Sequence, residues 1–151
     1  MPNWCYNRIT IYGDSETEAK LKEIEEIFEK ADPFNQIFPI PDFKNIPDEK
    51  GELPKLEQKL NPDGSVFYET YNFSDGTNDD RWYHWCIQNW GTKWDVSELC
   101  VEYADDEQLE LTFSTAWSPP EGIIERLRDK YPDLSFSCFY DEPGMEVAGY
   151  Y

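Results

Sequence analysis

Residues 82 to 96, WYHWCIQNWGTKWDV, hold the only histidine of the chain, a cysteine, and four of its six tryptophans. An imidazole titrates near neutral pH and a thiolate is a nucleophile, so His84 and Cys86 are the side chains here that could do acid–base or covalent chemistry. They are two residues apart, however, and side chains at that spacing on a helix do not face each other. The spacing therefore predicts a surface or core-edge histidine, and no catalytic residue is predicted.

Three polar residues lie among these tryptophans, where the predicted helix ends: Asn89, Thr92 and Lys93. Groups of this kind can orient a small ligand. Helix capping and the connection to the next strand explain them equally well. One interpretation therefore places a ligand pocket between FNQIFPIP (34–41) and the NWGTKW turn (89–94). The other makes the large indoles core residues, namely Trp85, Trp90 and Trp117.

Metal chemistry is not indicated by the remaining candidate ligands. The four cysteines lie far apart and form no CxxC pair, which predicts reduced, mostly buried thiols rather than a zinc site or an iron–sulfur cluster. The acidic pairs at 79–80, 105–106 and 141–142 fall in predicted turns, where acidic residues are ordinary. The sequence thus predicts no metal site and no cofactor.

The charge balance is strongly acidic, with 32 Asp and Glu against 13 Lys and Arg, a net charge of −19. Such a field repels phosphate backbones and anionic membranes. No leader pattern is seen at the start, and no segment approaches the roughly 18 consecutive apolar residues of a membrane-spanning helix. These features predict a soluble, cytoplasmic protein without a membrane or an ordinary nucleic-acid partner. They favour a basic protein partner, because complementary potentials accelerate association.

The first two elements follow from simple patterns. NRITIYG (7–13) alternates and is rich in β-branched and aromatic residues, which predicts a strand. A helix is then expected from Ser15 as N-cap, with Glu18 closing a capping box and an apolar stripe of Leu21, Ile24, Phe28 and Ala31. Its outer face is acidic, and three of its residues are the predicted partner-binding residues: Glu16, Glu23 and Glu26.

Six prolines between positions 33 and 64 predict a long irregular insertion, at about 33–78, with one possible strand at 65–73. A short helix is expected after Asp79 or Asp80, ending at Gly91 in the left-handed conformation. WDVSELCVEY and LELTFSTAW predict a hairpin around ADDEQ. Its apolar face would combine Leu99, Val101 and Tyr103 with Leu109, Leu111 and Phe113.

The C-terminal third predicts a helix capped by Ser118 and Glu121 and ended by Pro132, followed by strands LSFSCFY and MEVAGYY. Pro143 and Gly144 would take the central positions of a type II turn between these strands. Without the insertion and the last strand, the order is βαββαβ. This order predicts one α+β domain over 1–151 of ferredoxin-like architecture, an antiparallel sheet with its helices on one face.

The open face of such a sheet binds RNA in some proteins, and Tyr6, Arg8 and Phe139 are expected to project from it. The basic and aromatic string of those RNA-binding domains is absent, however, and acidic residues occupy the neighbouring strands, namely Glu98, Glu102 and Glu110. RNA binding is therefore disfavoured.

Four strings, MPNWCYNRITIYG, WCIQNWGTKWD, TAWSPPEGIIERL and YDEPGMEVAGYY, resemble the YubB-type ferredoxin-like domain of plasmid-, phage- and mobile-element-encoded proteins. The resemblance implies the fold and no iron–sulfur cluster, and it offers no catalytic residues to carry over to this chain. Together with the charge, it leads us to expect a noncatalytic interaction module that binds a basic partner, in a sharper form by imitating DNA. A small enzyme or ligand-binding protein, with the pocket described above, is the alternative.

Overall fold

The structure is a computed structural model that describes residues 1–151, and the chain divides into two compact units. One comprises 1–39 and 86–151, and the other comprises 40–85. The sequence predicted one domain with an insertion at about 33–78. The helices are α1 (Glu18–Glu29), α2 (Pro33–Ile37), α3 (Arg81–Asn89) and α4 (Glu121–Lys130). The strands are β1 (Trp4–Tyr12), β2 (Lys55–Leu60), β3 (Val66–Asn72), β4 (Ser97–Ala104), β5 (Gln108–Ala116), β6 (Ser135–Glu142) and β7 (Val147–Tyr150).

The first unit is built on a five-stranded sheet in the order β4-β5-β1-β6-β7, and every neighbouring pair is antiparallel. Side chains alternate along β1, so that Ile9 and Ile11 are buried while Arg8 and Tyr12 are exposed. The buried side packs against the helices, and the Phe28 ring of α1 stacks 6.1 Å from the Phe113 ring of β5. The predicted α+β composition and antiparallel sheet are confirmed.

The apolar stripe of α1 is largely as predicted, but the first residues of both long helices differ from the prediction. Helix α1 begins at Glu18. Asp14 and Thr17 form a separate turn before it, in which the Asp14 N–H donates to Thr17 Oγ1 over 2.7 Å. The predicted capping box at Ser15 is therefore absent. At the other end the helix stops at Glu29, and Ala31, predicted to belong to the apolar stripe, is exposed beyond it.

Helix α4 begins at Glu121 rather than directly after Ser118. The two prolines explain the delay, since the residue before a proline is disfavoured in the helical region, and both Ser118 and Pro119 precede one. The hydroxyl of Ser118 does not cap the helix and donates instead to the carbonyl of Gly91 over 2.5 Å. The Ser118 and Glu121 capping box is therefore wrong.

The start of the predicted irregular insertion belongs to the core of the first unit. Phe34 of α2 is fully buried and packs edge-on against Trp90 and Phe113, with ring centroids 5.7 and 5.8 Å away. The carboxylate of Asp95 accepts the N–H groups of Phe34 and Asn35, each over 3.0 Å. Asp95 thus satisfies backbone donors at the start of α2 that the helix itself cannot pair.

The second unit contains the antiparallel hairpin β2–β3 and a 3-10 turn at Phe43–Asn45. The predicted strand at 65–73 is confirmed as β3, whereas β2 was not predicted. Arg81 organises this unit, because its guanidinium forms a fork on both carboxylate oxygens of Asp79 at 2.8 Å and donates to the Phe43 carbonyl over 2.8 Å. It also lies 5.1 Å from the Phe43 ring and 5.6 Å from the Phe73 ring.

Two turn regions depart from the predicted pattern. The β4–β5 hairpin forms, but a register shift between Val101 and Tyr103 pairs Tyr103 with Glu110 and exposes it, so it does not join the apolar face. Between β6 and β7, the Glu146 N–H donates to the Pro143 carbonyl over 3.2 Å. Gly144 is therefore the second residue of this turn and does not adopt a positive φ, so the predicted type II turn is wrong.

Candidate interaction surface

The two residues of catalytic type in the 82–96 stretch are not arranged for chemistry. His84 is exposed on α3, where its Nε2 lies 3.2 Å from an equally exposed carboxylate oxygen of Asp80. Cys86 is buried, and burial raises the pKa of its thiol to about 11, so it is a poor source of thiolate at neutral pH. No group of three or more His, Cys, Asp or Glu side chains is placed to hold a metal ion. No helix has the length and apolar character needed to span a membrane.

The three candidate ligand-binding residues lie in different environments. Thr92 is fully buried and its hydroxyl donates to the Ala116 carbonyl over 2.9 Å, tying the turn to β5. The ammonium of Lys93 lies 4.4 Å from the centre of the Trp94 ring. Asn89 lines a cleft of about 460 Å³ together with residues of α4, whereas Thr92 and Lys93 do not line it. The structure therefore does not bring the three into one pocket.

The two segments between which a pocket was predicted contact each other directly. The indole of Trp90 is only 2% exposed and donates its Nε1–H to the Phe38 carbonyl over 2.8 Å. The cleft of about 460 Å³ is nevertheless lined by Phe38 of the first segment and by Asn89 and Gly91 of the second, whereas the Trp90 indole, with Phe34 packed on its edge, is buried in the core. Trp90 is a core residue as predicted, but Trp117 is not, since it is 46% exposed and has a φ of 71° directly after β5. Trp85 is half-buried.

The three acidic residues predicted to bind a partner do not form one uncompensated face. Glu16 precedes α1, in the turn at 14–17. Glu23 lies 3.4 Å from the Lys130 ammonium, and the neighbouring Tyr131 hydroxyl and then Lys130 lower the pKa of its carboxyl. Glu26 is exposed on the helix. Opposite charges are therefore interleaved across the helical layer, as the pair formed by Lys22 and Glu18 at 3.0 Å also shows.

A different surface combines the features of a binding site, namely the side of the five-stranded sheet that faces away from α1 and α4, which we call the open face. One residue from each strand forms a row across its centre, in the strand order Cys100, Thr112, Arg8, Phe139 and Tyr150. A second row contains Ser114, Tyr6 and Asp141. Neighbouring members of a row lie about 5 Å apart.

Aromatic side chains on the open face are strongly exposed. Tyr6 is 51% and Tyr150 is 77% exposed, and the Tyr150 ring meets the Phe139 ring edge-on at 5.2 Å. A cleft of about 490 Å³ runs beside them and is lined by residues that include Tyr6, Arg8, Phe139 and Asp141. A smaller cleft of about 220 Å³ shares Arg8 and Phe139 with it and extends to Tyr150. The open face thus contains two adjoining clefts that are partly lined by aromatic side chains.

The charges of this face are one-sided. Arg8 is the only Lys or Arg in the five strands, and its Nε lies 3.5 Å from Glu110 Oε1. Glu102 accepts the Thr112 hydroxyl over 2.8 Å, which lowers the pKa of its carboxyl. Carboxylates therefore outnumber cations on the open face, where Glu98, Glu102 and Asp141 are exposed and Glu110 is half-buried.

Sequence alternation placed Tyr6, Arg8 and Phe139 on this face, and their exposure bears this out. In the sequence, the acidic residues of the strands indicated only that RNA binding is disfavoured. The predicted partner surface was the outer face of α1. The free thiol of Cys100 is also exposed in the central row, and it is the one exception to the expected mostly buried thiols. The other three cysteines are buried.

An antiparallel sheet of this kind with a helical layer on one side defines an α+β protein of the ferredoxin-like class. Residues 89–151 match the family model described as the ferredoxin-like domain in Api92-like protein. Among solved structures, protein Api92 from Yersinia pseudotuberculosis is similar to this chain, with a TM-score of 0.53 and 12% sequence identity over 99% of this chain and 93% of that one. At this identity the likeness concerns the fold. A comparison with curated proteins finds no match.

Proposed function

We propose that this protein is a noncatalytic interaction module that binds a basic protein partner through its acidic surface. The observation that best supports this proposal is the charge of the open face. Arg8 is the only Lys or Arg among the five strands, and it is already paired with Glu110. A surface of uncompensated carboxylates on a chain of net charge −19 attracts basic partners over several ångströms and accelerates their association.

The proposal extends to the origin of the module. The order of the first-unit elements supports a βαββαβ ferredoxin-like domain with β7 as an added edge strand. The strings quoted above support membership of the YubB type, with a plasmid, phage or other mobile element as source. In the sharper form of the proposal, the acidic surface imitates DNA and occupies the nucleic-acid-binding groove of its partner.

A small-ligand function is the second candidate. It is supported by the cleft of about 460 Å³ lined by Asn89, Glu121, Glu125 and Arg126. Its lining is polar and partly engaged, since the Arg126 guanidinium lies 3.9 Å from the Phe38 ring and donates to the Ile37 carbonyl over 3.2 Å. Because ligand pockets are mostly apolar with few polar groups, this cleft fits the second candidate less well than the open face fits the first.

The test is capture of a partner from the native host followed by kinetics with the purified partner. We expect a basic protein whose association rate falls steeply as salt rises from about 50 to about 500 mM, because screening shortens the range of the field. A variant with Glu16→Gln, Glu23→Gln and Glu26→Gln reports how much the helical layer contributes to that rate. An acidic or neutral partner, or an association rate that salt leaves unchanged, would refute the proposal.

A further inference from the structure

We infer that the open face is the docking surface, and that its occupant is a partner segment that presents arginine side chains. This inference rests on the proposed function and names the surface and the chemistry that would carry it. The open face differs from the helical layer in one respect that matters for binding. On the helices, lysines offset the carboxylates, as in the pairs of Lys22 with Glu18 and Lys130 with Glu23, whereas the sheet offers one paired arginine.

Arginine is favoured because rings and carboxylates alternate on this face. Tyr6 is the cross-strand neighbour of Asp141, and Phe139 lies two residues from Asp141 on the same side of β6. A guanidinium stacked on either ring can therefore reach the same carboxylate. Its planar fork suits both contacts at once, which the compact ammonium of lysine does not.

The second unit shows the same chemistry completed within the chain. There the Arg81 guanidinium lies within 6 Å of two phenylalanine rings, at 5.1 and 5.6 Å, while it forms a fork on Asp79. The open face supplies the rings and the carboxylates of such a site but lacks the cation. Its only cation, Arg8, is held by Glu110.

Other occupants fit the charges less well. A second copy placed face to face would set like carboxylates against each other, and each chain already carries −19. Single-stranded nucleic acid could stack on Tyr6 and Phe139, but its phosphates would meet Glu98, Glu102 and Asp141. A basic segment satisfies both the rings and the carboxylates.

The experiment uses the full chain with fluorescent octa-arginine, octa-lysine and octa-glutamate peptides, measured by anisotropy at low salt. Two variants lose three carboxylates each and so have the same net charge. The first, on the open face, combines Glu98→Gln, Glu102→Gln and Asp141→Asn. The second, on the helical layer, combines Glu16→Gln, Glu23→Gln and Glu26→Gln.

We expect octa-arginine to bind more tightly than octa-lysine, and octa-glutamate not to bind. The open-face variant should weaken octa-arginine binding about tenfold, and the helical-layer variant less than about threefold, because only contacted carboxylates act beyond the shared loss of charge. Replacing both Tyr6 and Tyr150 by alanine should weaken it by roughly fivefold, since exposed cation–π contacts are modest. Phe67→Ala is the matched control, because Phe67 is an exposed ring of the second unit.

A bound peptide should also slow alkylation of Cys100, whose thiol lies in the central row of the open face. If the two charge variants lost octa-arginine affinity equally, or if the tyrosine changes left that affinity unchanged, the open face would not be the docking surface. The proposed function would still stand. Failure of every basic peptide to bind would refute both. Tight binding of a single-stranded oligonucleotide, or a dimer that the open-face variant dissolves, would overturn the choice of occupant.

Discussion

Trp90 is the residue at which the structure makes its strongest energetic prediction. Its indole is 2% exposed, packs edge-on against Phe34, and donates Nε1–H to the Phe38 carbonyl over 2.8 Å. Emptying a large buried aromatic site costs about 3 to 5 kcal/mol, and the lost hydrogen bond adds about 1 kcal/mol. Trp90→Ala should therefore lower the free energy of unfolding by about 4 to 6 kcal/mol.

A loss of that size approaches the whole stability of many domains, roughly 5 to 15 kcal/mol, so the alanine variant can fail to fold. Trp90→Phe is the milder change, because it keeps a ring in the core but removes the donor to Phe38. We expect it to cost about 1 to 3 kcal/mol, measured by urea denaturation followed by far-UV circular dichroism.

Trp94→Ala is the matched control, since Trp94 is 40% exposed and four residues along the chain. Its cost should stay below about 1 kcal/mol. If Trp90→Ala fell within about 1 kcal/mol of that control, the assignment of Trp90 to the core would be refuted. If it also abolished binding of a small ligand, the second candidate function would be favoured over the first.

Three further changes test other parts of the fold. Gly122→Ala gains helix propensity worth about 1 kcal/mol, but the new Cβ would lie 1.8 Å from the Asn89 carbonyl oxygen. We therefore expect the free energy of unfolding, measured by thermal denaturation, to fall by about 2 kcal/mol. A stabilised variant would contradict this close approach. In the native protein one thiol, Cys100, should react with an aromatic disulfide reagent, and all four should react after unfolding; two or more fast native thiols would contradict the burial of the others. Arg81 lowers the pKa of Asp79, and a lowered pKa stabilises only while the carboxylate is charged. Amide-exchange protection of residues 40–85 should therefore fall as the pH drops below 3.8, the ordinary pKa of Asp79. Arg81→Gln should weaken this dependence, and the part that remains comes from Asp63 and Asp75, whose pKa values are lowered by hydrogen bonds from Ser65 and Thr77.

The long helices and the β4–β5 hairpin were predictable because their signal is periodic and local. Leu21, Ile24 and Phe28 follow the helical period and are buried in the structure. The first residues of the helices were not predictable in the same way. They depend on competition between the helix and a tight turn at Thr17, and on the constraint that Pro120 places on Pro119.

The start of the insertion was wrongly predicted to be irregular, because the contacts that order it come from residues far away in the sequence. The prolines near Phe34 indicate irregular chain, but Phe34 is held by partners far away in the sequence. Asp95 accepts its N–H from 61 residues further on, and the Phe113 ring packs against it. No local pattern contains those contacts. Strand β2 was missed for another reason, because KLEQKL has no β-branched or aromatic residue that would favour a strand.

Only part of the open face could be predicted from the sequence. Alternation shows that Tyr6 and Arg8 share a side of β1, but it does not show which residues of other strands lie beside them. Tyr150 reaches Phe139 only because β7 pairs with β6 at the edge of the sheet. The sum of charges on this side also requires the strand order, which brings β4 and β6 to opposite sides of the β5–β1 pair.

Solubility alone does not explain the open face. Carboxylates keep a protein soluble wherever they lie, and those of the helical layer do so while interleaved with lysines. Exposed rings work against solubility, yet Tyr6, Phe139 and Tyr150 lie among the carboxylates of the sheet. A surface that served only to remain in water would gain from the acids and lose from the rings. A surface that binds cations gains from both, because the ring face and the carboxylate attract the same guanidinium. The combination therefore favours recognition on this side of the sheet over a purely solvating role.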